Sequence, residues 1–399
     1  MKQVNERIVA PVESIGTAEL SQWQPPQVPG VEFADEATSK ALASPTDFPS
    51  LADAIIEGDV VAIAVDPNVP QVPSVIRGAL QAIAQTDASR VTVVVRDEAT
   101  DECFESIQNA AKPHLVVRHS SDQRQAQSYL AADLDANPIY LSRELVDADF
   151  VLPITSMRHS APGQRGDVTG IFPAFCDSAT RKRQHSNPAV NGETPATTKS
   201  GRSIAQEVPW LLGVQLVLSV AANPAGEAAT FRAGTVECLQ RVAEGFFSSN
   251  PSGTSITDAD LVVAALDGDA AQQTWENVLR AVLASAELAG ESSTLVVWSE
   301  VTDEPAGKML ELDQPTEDLL EPVESLGEED LPTWNRFDAL AQRLRPLLET
   351  HRVILHSRLS REIIEPLGLG VIESAGELEN LCKGFQSCLL LRAAGFACE

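Results

Sequence analysis

Short apolar runs, each followed by a turn and then by a segment with helical spacing, constrain the fold of this chain most. Residues 59–65 form such a run, and residues 73–84 after it place their large aliphatic side chains on one helical face. Similar runs follow at residues 90–95, 115–117, 149–154 and 213–220. Strands that alternate with helices in this way predict an α/β fold with a doubly wound, mostly parallel sheet.

The same pattern divides the chain into domains. Residues 1–50 are rich in proline and predict an N-terminal extended segment. Residues 51–250 form the first α/β domain, and the Asn-Pro-Ser-Gly-Thr-Ser stretch at 250–255 reads as a linker. A second series of apolar runs and helices over residues 258–399 predicts another small domain with a mostly parallel sheet flanked by helices.

Charge and cysteine usage limit the partners and the compartment. The 399-residue chain has 57 Asp and Glu against 29 Lys and Arg, a net charge of -28, which disfavours nucleic acid and anionic membranes as partners. The start of the chain lacks an apolar targeting region, and no apolar stretch is long enough to span a bilayer. The six cysteines include no Cys-x-x-Cys pair, so we expect reduced, buried thiols in a cytoplasmic protein. The sequence does not indicate the oligomeric state.

Polar residues that follow the predicted strands are the candidates for chemistry, because ligands of open α/β sheets bind outside the carboxyl ends of the strands. Asp66 ends the first strand, where its carboxylate could bind a hydroxyl, orient a histidine or simply cap the turn. The acidic, turn-like residues 96–102 follow the next strand, but no residue there is a convincing catalyst.

The segment 157–170 follows another predicted strand and combines a histidine, two arginines and three glycines. His159 is a candidate general base because its unperturbed pKa lies near neutrality. Arg158 and Arg165 could bind a substrate carboxylate through two parallel hydrogen bonds. The glycines allow positive φ and close approach of the backbone to a ligand; they are Gly163, Gly166 and Gly170.

A basic segment at residues 176–208 lacks apolar periodicity and predicts a long loop, either a surface excursion or a functional loop. It contains His185, a candidate metal ligand, although one histidine without close companions is a weak metal signal. The chain contains no Gly-x-Ser-x-Gly elbow, Walker loop or His-Glu-x-x-His motif, and the second domain has no Gly-x-Gly-x-x-Gly loop. Hydrolases, phosphoryl transferases and dinucleotide-binding proteins therefore have no motif support.

From about Asp47 onwards, the order of these motifs resembles the nickel-dependent lactate racemase family, named LarA-like after its type member. Residues 56–70 are similar to the family's first strand and its Asp-x-x-Arg-Pro turn. The other matching passages are residues 138–152, 159–173, 353–361 and 377–381. The resemblance implies a nickel pincer nucleotide cofactor that takes hydride from the α-carbon of a 2-hydroxy acid and returns it to either face.

The resemblance also assigns roles to particular residues. Asp66 matches the turn aspartate, and His159 matches one of two acid–base histidines. His185 matches the histidine that binds nickel. Gly163 and Gly166 would line the cofactor. Thr169 falls where the family has the lysine that holds the cofactor as a thioamide, and a hydroxyl cannot form that bond.

Other family positions also differ in this chain. Val69 replaces a substrate-binding arginine, and Thr100 replaces the second acid–base histidine. A Gln-x-x-Lys pair in the second domain falls near Glu276 and Leu279. These differences leave three hypotheses: a diverged racemase or epimerase of a 2-hydroxy acid, a non-catalytic relative that binds a ligand or regulates a partner, and an unrelated enzyme that uses the same cleft.

Overall fold

The structure is a computed structural model, and it describes residues 19–133, 135–158, 168–185, 204–248, 258–312 and 334–397. Its strands are Glu19–Trp23 (β1), Val60–Val65 (β2), Arg90–Val95 (β3), Leu115–Arg118 (β4), Gln127–Ala132 (β5), Pro138–Ser142 (β6), Phe150–Ser156 (β7), Val217–Ala222 (β8), Ala228–Gly234 (β9), Ala259–Ala265 (β10), Ala289–Trp298 (β11), Arg352–His356 (β12), Gly370–Val371 (β13) and Ser387–Leu391 (β14). Its α-helices are Ala34–Ala43 (α1), Leu51–Ala54 (α2), Val72–Ile83 (α3), Asp101–Ala111 (α4), Arg143–Val146 (α5), Ser178–His185 (α6), Ile204–Leu211 (α7), Val236–Ser248 (α8), Trp275–Leu288 (α9), Arg336–Thr350 (α10), Arg361–Ile364 (α11) and Ala375–Cys382 (α12).

The first compact unit comprises residues 28–222 and 227–246. Its six-stranded sheet has the order β4-β3-β2-β7-β8-β9, and every neighbouring pair is parallel except β8 and β9. The central strand β2 is an almost continuous run of buried aliphatic residues, as expected for a parallel strand covered on both faces. The chain runs outwards from β2 to β3 and β4 and later adds β7 on the other side of β2, so the topological switch point lies between β2 and β7.

The second compact unit comprises residues 1–27, 223–226 and 247–399. Its sheet has the order β1-β14-β10-β11-β12-β13, and all neighbouring strands are parallel. One face of this sheet packs against the apolar sides of α9 and α10. The predicted class, an α/β protein with two mostly parallel sheets flanked by helices, is therefore confirmed.

The N-terminal segment differs from the prediction of extended structure over residues 1–50. Residues 19–23 form the edge strand β1, which pairs with β14, and residues 34–43 form helix α1. No proline lies between Pro29 and Pro45, so this stretch is free to form a helix. Helix α1 buries Ala34, Thr38 and Leu42, which recur at helical spacing.

The basic segment 176–208 also differs from the predicted loop, because helices occupy both of its ends. Helix α6 spans Ser178–His185, where Arg181 forms an ion pair with Asp97. Helix α7 begins at Ile204 and buries Val208 and Pro209. Residues 186–203 between them lie outside the described residues, as does the predicted linker at 250–255. The strand predicted at 213–220 begins only at Val217, because the turn that ends α7 contains Gly213 in a left-handed conformation.

The cysteines of the described residues are all buried, and none of them forms a disulfide: Cys103, Cys176, Cys238, Cys382 and Cys388. Among the helices that the structure describes, none has the length and apolar character needed to cross a bilayer. The predicted cytoplasmic location remains a prediction.

Helices α1 and α3 pack closely because α3 carries a glycine at their contact. A Cβ atom on Gly78 would lie 2.2 Å from the Asp35 carbonyl oxygen and 2.7 Å from the Thr38 Cβ. We therefore expect Gly78→Ala to force the helices apart and to lower the free energy of unfolding by about 1–3 kcal/mol in urea denaturation. Gly245→Ala is the matched control, since a Cβ there meets no atom within 4 Å. An unchanged urea midpoint for Gly78→Ala would contradict this packing.

Candidate functional site

The candidate site lies in the first unit, where the carboxyl ends of β2, β3 and β7 meet. Asp66 directly follows β2, Arg96 directly follows β3, and Arg158 lies two residues after β7. Since β2 and β7 flank the topological switch point, Asp66 and Arg158 occupy the place where open α/β sheets bind ligands. The rule that identified Asp66 and Arg158 in the sequence therefore identifies residues that the fold brings together.

Asp66 is a fully buried carboxylate held by two arginines. Its Oδ2 lies 3.0 Å from Nη1 of Arg158 and 3.5 Å from Nη1 of Arg96, and the three side chains are 0%, 4% and 8% exposed. Its Oδ1 accepts hydrogen bonds from the backbone N and the side-chain Nδ2 of Asn68, at 2.9 and 3.0 Å. A buried carboxylate needs such partners to remain charged. Asp66 therefore acts as a counter-ion that positions the guanidinium groups.

Arg96 connects this carboxylate to the segment after residue 167. Its Nη1 lies 3.2 Å from Oε1 of Glu98, and its Nη2 donates to the Gly170 carbonyl at 2.9 Å. Gly170 has a φ of 62°, and a Cβ atom there would lie 2.0 Å from Nη2 of Arg96. The glycine thus has the positive φ that the sequence predicts. The group that approaches its backbone is the Arg96 side chain and not a ligand.

Arg158 is a buried arginine whose guanidinium has two nitrogens without a hydrogen-bond partner among the described residues. Nη1 faces Asp66, while Nε and Nη2 are buried without a hydrogen-bond partner among the described residues. Ser156, the last residue of β7, also has a buried hydroxyl without such a partner in the described part of the chain. A buried, unsatisfied donor costs about 1–3 kcal/mol, so unpaired donors of this kind are typical of sites that receive a ligand or a water.

The residues at the other family-matched positions of this unit have structural roles. Val69 is completely buried. Thr100 is the N-cap of α4, and its hydroxyl accepts a hydrogen bond from the Cys103 backbone N at 3.2 Å. Thr169 is 1% exposed, and its hydroxyl accepts from the Ile171 backbone N at 3.2 Å. None of these three residues offers the arginine, histidine or lysine that the resemblance requires there.

The matched pair of the second unit is also replaced by structural residues. Leu279 belongs to the apolar core that α9 forms against the sheet, and Glu276 lies 3.5 Å from Arg336 through its Oε1. The predicted base His159 and the predicted residues Gly163, Arg165 and Gly166 lie outside the described residues. His185 ends helix α6, and its side chain also lies outside the description.

Sequence reasoning missed several charged residues that border the site. Arg96 lies in the acidic segment for which the sequence predicts no catalyst, although it directly follows a buried strand and the carboxyl-end rule applies to it. Arg181 makes a two-pronged ion pair with Asp97, with nitrogen–oxygen distances of 2.7 and 3.1 Å, and it also contacts the Ala174 carbonyl. These contacts fix helix α6 next to the end of β3.

His119, which directly follows β4, is a buried histidine in the same region. Its Nε2 lies 3.0 Å from the Cys176 carbonyl oxygen, so Nε2 carries the hydrogen, and its ring packs edge-on against Phe175. Burial, helped by the positive charge of Arg181, lowers the pKa of His119 to about 4. His119 is therefore neutral near pH 7, and its hydrogen bond holds the backbone at Cys176.

Comparison with known proteins shows the fold. No protein-family model matches this sequence, and no curated protein matches it. The lactate racemase apoprotein from Thermoanaerobacterium thermosaccharolyticum is similar with a TM-score of 0.66 at 14% identity, over 94% of each chain. A protein from Thermotoga maritima is similar with a TM-score of 0.65 at 10% identity, over 94% of this chain and 100% of the other. The predicted lactate racemase-like fold is thus confirmed, and at these identities the likeness extends to the fold alone.

The central ion pairs predict a large effect of neutralising Asp66. Asp66→Asn leaves Arg158 and Arg96 without a counter-charge in a buried place, and we expect a loss of about 3–5 kcal/mol in the free energy of unfolding. Asp47→Asn is the control, because its ion pair with Arg241 is exposed and should contribute less than about 1 kcal/mol. Equal urea midpoints for the two variants would contradict the structural role of Asp66.

The lowered pKa of His119 predicts a pH dependence of stability. Because the folded pKa of about 4 lies below the ordinary value of 6.5, the unfolded chain takes up a proton first as the pH falls. Stability is therefore complete above pH 6.5 and falls towards pH 4, by about 3 kcal/mol from this group alone. In urea denaturation at several pH values, the free energy of unfolding of His119→Gln should fall less between pH 6.5 and pH 4 than that of the unchanged chain. Glutamine is chosen because its amide can still donate to the Cys176 carbonyl. If the free energy of unfolding of the two proteins changes equally with pH, His119 is not the titrating group.

Proposed function

We propose that this protein binds a small carboxylate, of the 2-hydroxy acid class, at Arg158 and that it does so without the cofactor chemistry of lactate racemases. The observation that supports the proposal is the buried guanidinium of Arg158, whose Nε and Nη2 lack a partner among the described residues. The residue lies beside the topological switch point of the sheet. Ligands of open α/β folds bind at this place.

The free edge of Arg158 fits a carboxylate. Asp66 neutralises the guanidinium through Nη1, which leaves the Nε–H and Nη2–H donors on the adjacent edge. These two donors are parallel in a planar group and match the two oxygens of a carboxylate. A ligand carboxylate would satisfy both donors at once, and the fixed position of Arg158 limits the conformational entropy lost on binding.

Ser156 supports the choice of a hydroxy acid. Its hydroxyl is buried, has no partner in the described part of the chain and belongs to the residue two positions before Arg158. A 2-hydroxy acid carries a hydroxyl next to its carboxylate and could use both groups. A simple carboxylic acid would leave the Ser156 hydroxyl unsatisfied, which disfavours it by an amount on the order of 1 kcal/mol.

The residues present do not fit the pincer cofactor that the resemblance implies. The lysine that would hold the cofactor is Thr169, and its hydroxyl is buried and already accepts a hydrogen bond from the Ile171 backbone N. The next residue, Gly170, is covered by the Arg96 guanidinium. The position of the second acid–base histidine is Thr100, which caps a helix. The proposal therefore includes no hydride transfer. It favours a non-catalytic protein that shares the fold of lactate racemase and binds a ligand.

The second candidate function is a diverged racemase or epimerase of a 2-hydroxy acid. It is favoured by the likeness in fold to the lactate racemase apoprotein over 94% of the chain. In this candidate, His159 is the base and His185 holds the metal, and Asp66 and Arg158 position the substrate. Arg165 would then assist Arg158 with the substrate carboxylate. These roles remain predictions.

Binding measurements test the main proposal. The full chain is titrated in a calorimeter with D-lactate, L-lactate, glycerate, malate and, as an uncharged analogue, lactamide. We expect at least one hydroxy acid to bind, lactamide to bind at least about tenfold more weakly, and Arg158→Lys to weaken acid binding by a similar factor, because lysine keeps the charge but loses the two-pronged geometry. Ser156→Ala should reduce the preference for hydroxy acids over the corresponding simple acids.

The controls separate binding from folding and from catalysis. Arg118→Lys changes a partly exposed arginine that pairs with exposed Asp101 and should leave binding unchanged. Urea midpoints confirm that each variant is folded. Absence of binding by every acid, or equal binding by Arg158→Lys and the unchanged chain, would refute the carboxylate site. Conversion of a bound D-acid into its L-form by the chain produced with the pincer-cofactor biosynthetic enzymes would instead support the racemase candidate.

A further inference from the structure

Two aromatic residues of the second unit lie face to face at the carboxyl ends of neighbouring strands. Trp298 is the last residue of β11, His356 is the last residue of β12, and the two are paired in the parallel sheet. Their ring centroids are 3.8 Å apart, and the ring planes differ by 20°. The carboxyl ends of parallel strands are where open α/β sheets bind ligands. The carboxylate site proposed for the first unit involves neither residue.

The hydrogen bond of His356 determines which of its ring nitrogens is open. Its Nδ1 lies 2.8 Å from the Ile372 carbonyl oxygen, and a carbonyl only accepts, so Nδ1 carries the hydrogen. Burial lowers the pKa of His356, which keeps the ring neutral near pH 7. Nε2 is therefore an acceptor, and no described residue donates a hydrogen bond to it.

The indole of Trp298 supplies a donor next to this acceptor. Trp298 is 4% exposed, and its Nε1 is buried without a hydrogen-bond partner among the described residues. Buried tryptophan N–H groups usually have an acceptor, as in Trp275 of the same unit, whose Nε1 donates to the Asp303 carbonyl at 2.7 Å. The unpaired donor of Trp298 costs stability, which an acceptor from a ligand would restore.

We propose that Trp298 and His356 form a second binding site, which takes the hydroxyl group of a small uncharged alcohol. A hydroxyl oxygen accepts from Trp298 Nε1 while its hydrogen is donated to His356 Nε2, so one group satisfies both nitrogens. Because the stacked rings lie 3.8 Å apart, a single ligand atom can reach nitrogens on both of them.

Charged ligands fit these two groups less well than an alcohol does. A carboxylate has no hydrogen for His356 Nε2, and it would add negative charge near Glu300, whose own carboxylate is paired with Arg358. An ammonium group has no acceptor for Trp298 Nε1. Trp298 also belongs to a buried apolar cluster that includes Ile372. An aliphatic chain next to the hydroxyl matches these apolar neighbours.

The nuclear magnetic resonance signals of the tryptophan Nε1–H groups in the full chain test the proposal. The probe is isopropanol, and acetone is the matched control ligand, because it has the same carbon skeleton and an acceptor but no hydroxyl hydrogen. We expect the Trp298 signal, identified with Trp298→Phe, to shift saturably with isopropanol, and acetone to bind about fivefold more weakly for want of one hydrogen bond. The Trp275 signal should not move, because its N–H already donates to Asp303.

A substitution tests the acceptor separately. His356→Phe keeps an aromatic ring against Trp298 but removes Nε2, so isopropanol should bind this variant about fivefold more weakly. His114→Phe replaces a histidine of the first unit and should bind isopropanol as the unchanged chain does. Urea midpoints show whether each variant is folded.

Two outcomes would overturn the proposal. One is a Trp298 signal that does not respond to isopropanol, or that moves in parallel with the Trp275 signal as a general solvent effect does. The other is equal binding of isopropanol and acetone, which would show that His356 Nε2 accepts nothing from the ligand. Both outcomes are read on the unchanged chain and so do not depend on whether the variants fold.

Discussion

The buried ion pair between Asp66 and Arg158 is the interaction on which the rest of the first unit's polar edge depends. It joins the residue after β2 to a residue after β7, and the topological switch point of the sheet lies between these two strands. Because both side chains are nearly inaccessible to water, each charge is tolerated only in the presence of the other. Arg96 extends the pair to the Gly170 carbonyl and so fixes the backbone on the far side of the site.

This arrangement explains what the residues at the family-matched positions do in this fold. The positions matched to catalytic groups of lactate racemases hold residues that cap a helix, fill the core or bond to the local backbone, as Thr100, Val69 and Thr169 do. Each of these roles stabilises the fold and needs no ligand. Arg158 differs from them, because its buried Nε and Nη2 have no partner within the described ranges and such donors cost stability unless an acceptor binds. This difference supports the proposed ligand site at Arg158.

The sequence predicted the parallel sheets well because buried parallel strands are nearly continuous aliphatic runs. Strand β3 has the predicted bounds, and β2 differs from its prediction by one residue. Strand β1 and the antiparallel hairpin of β5 and β6 are absent from the prediction because their residues mix polar and apolar types. Strand β1 also pairs with β14, which is far away in the sequence. Helix α6 was missed for a similar reason: it is stabilised by ion pairs of Arg181 rather than by an apolar face.

The candidate site was only partly predictable. The rule on strand ends found Asp66 and Arg158, but it could not show that Asp66 is neutralised by its neighbours, because that depends on side-chain geometry. Arg96 was overlooked, since its sequence neighbours are acidic and suggested a solvated turn. The roles of Thr100 and Thr169 became clear only from their hydrogen bonds to the backbone.

The most direct test of the central claim is the nuclear magnetic resonance signal of the Arg158 Nε–H group during titration of the full chain with a 2-hydroxy acid. Assignment by comparison with Arg158→Lys identifies the signal. If the carboxylate binds the free edge of Arg158, the signal shifts saturably with the acid and does not respond to lactamide. A signal that stays unchanged with every acid, or that moves equally with lactamide, would contradict the account.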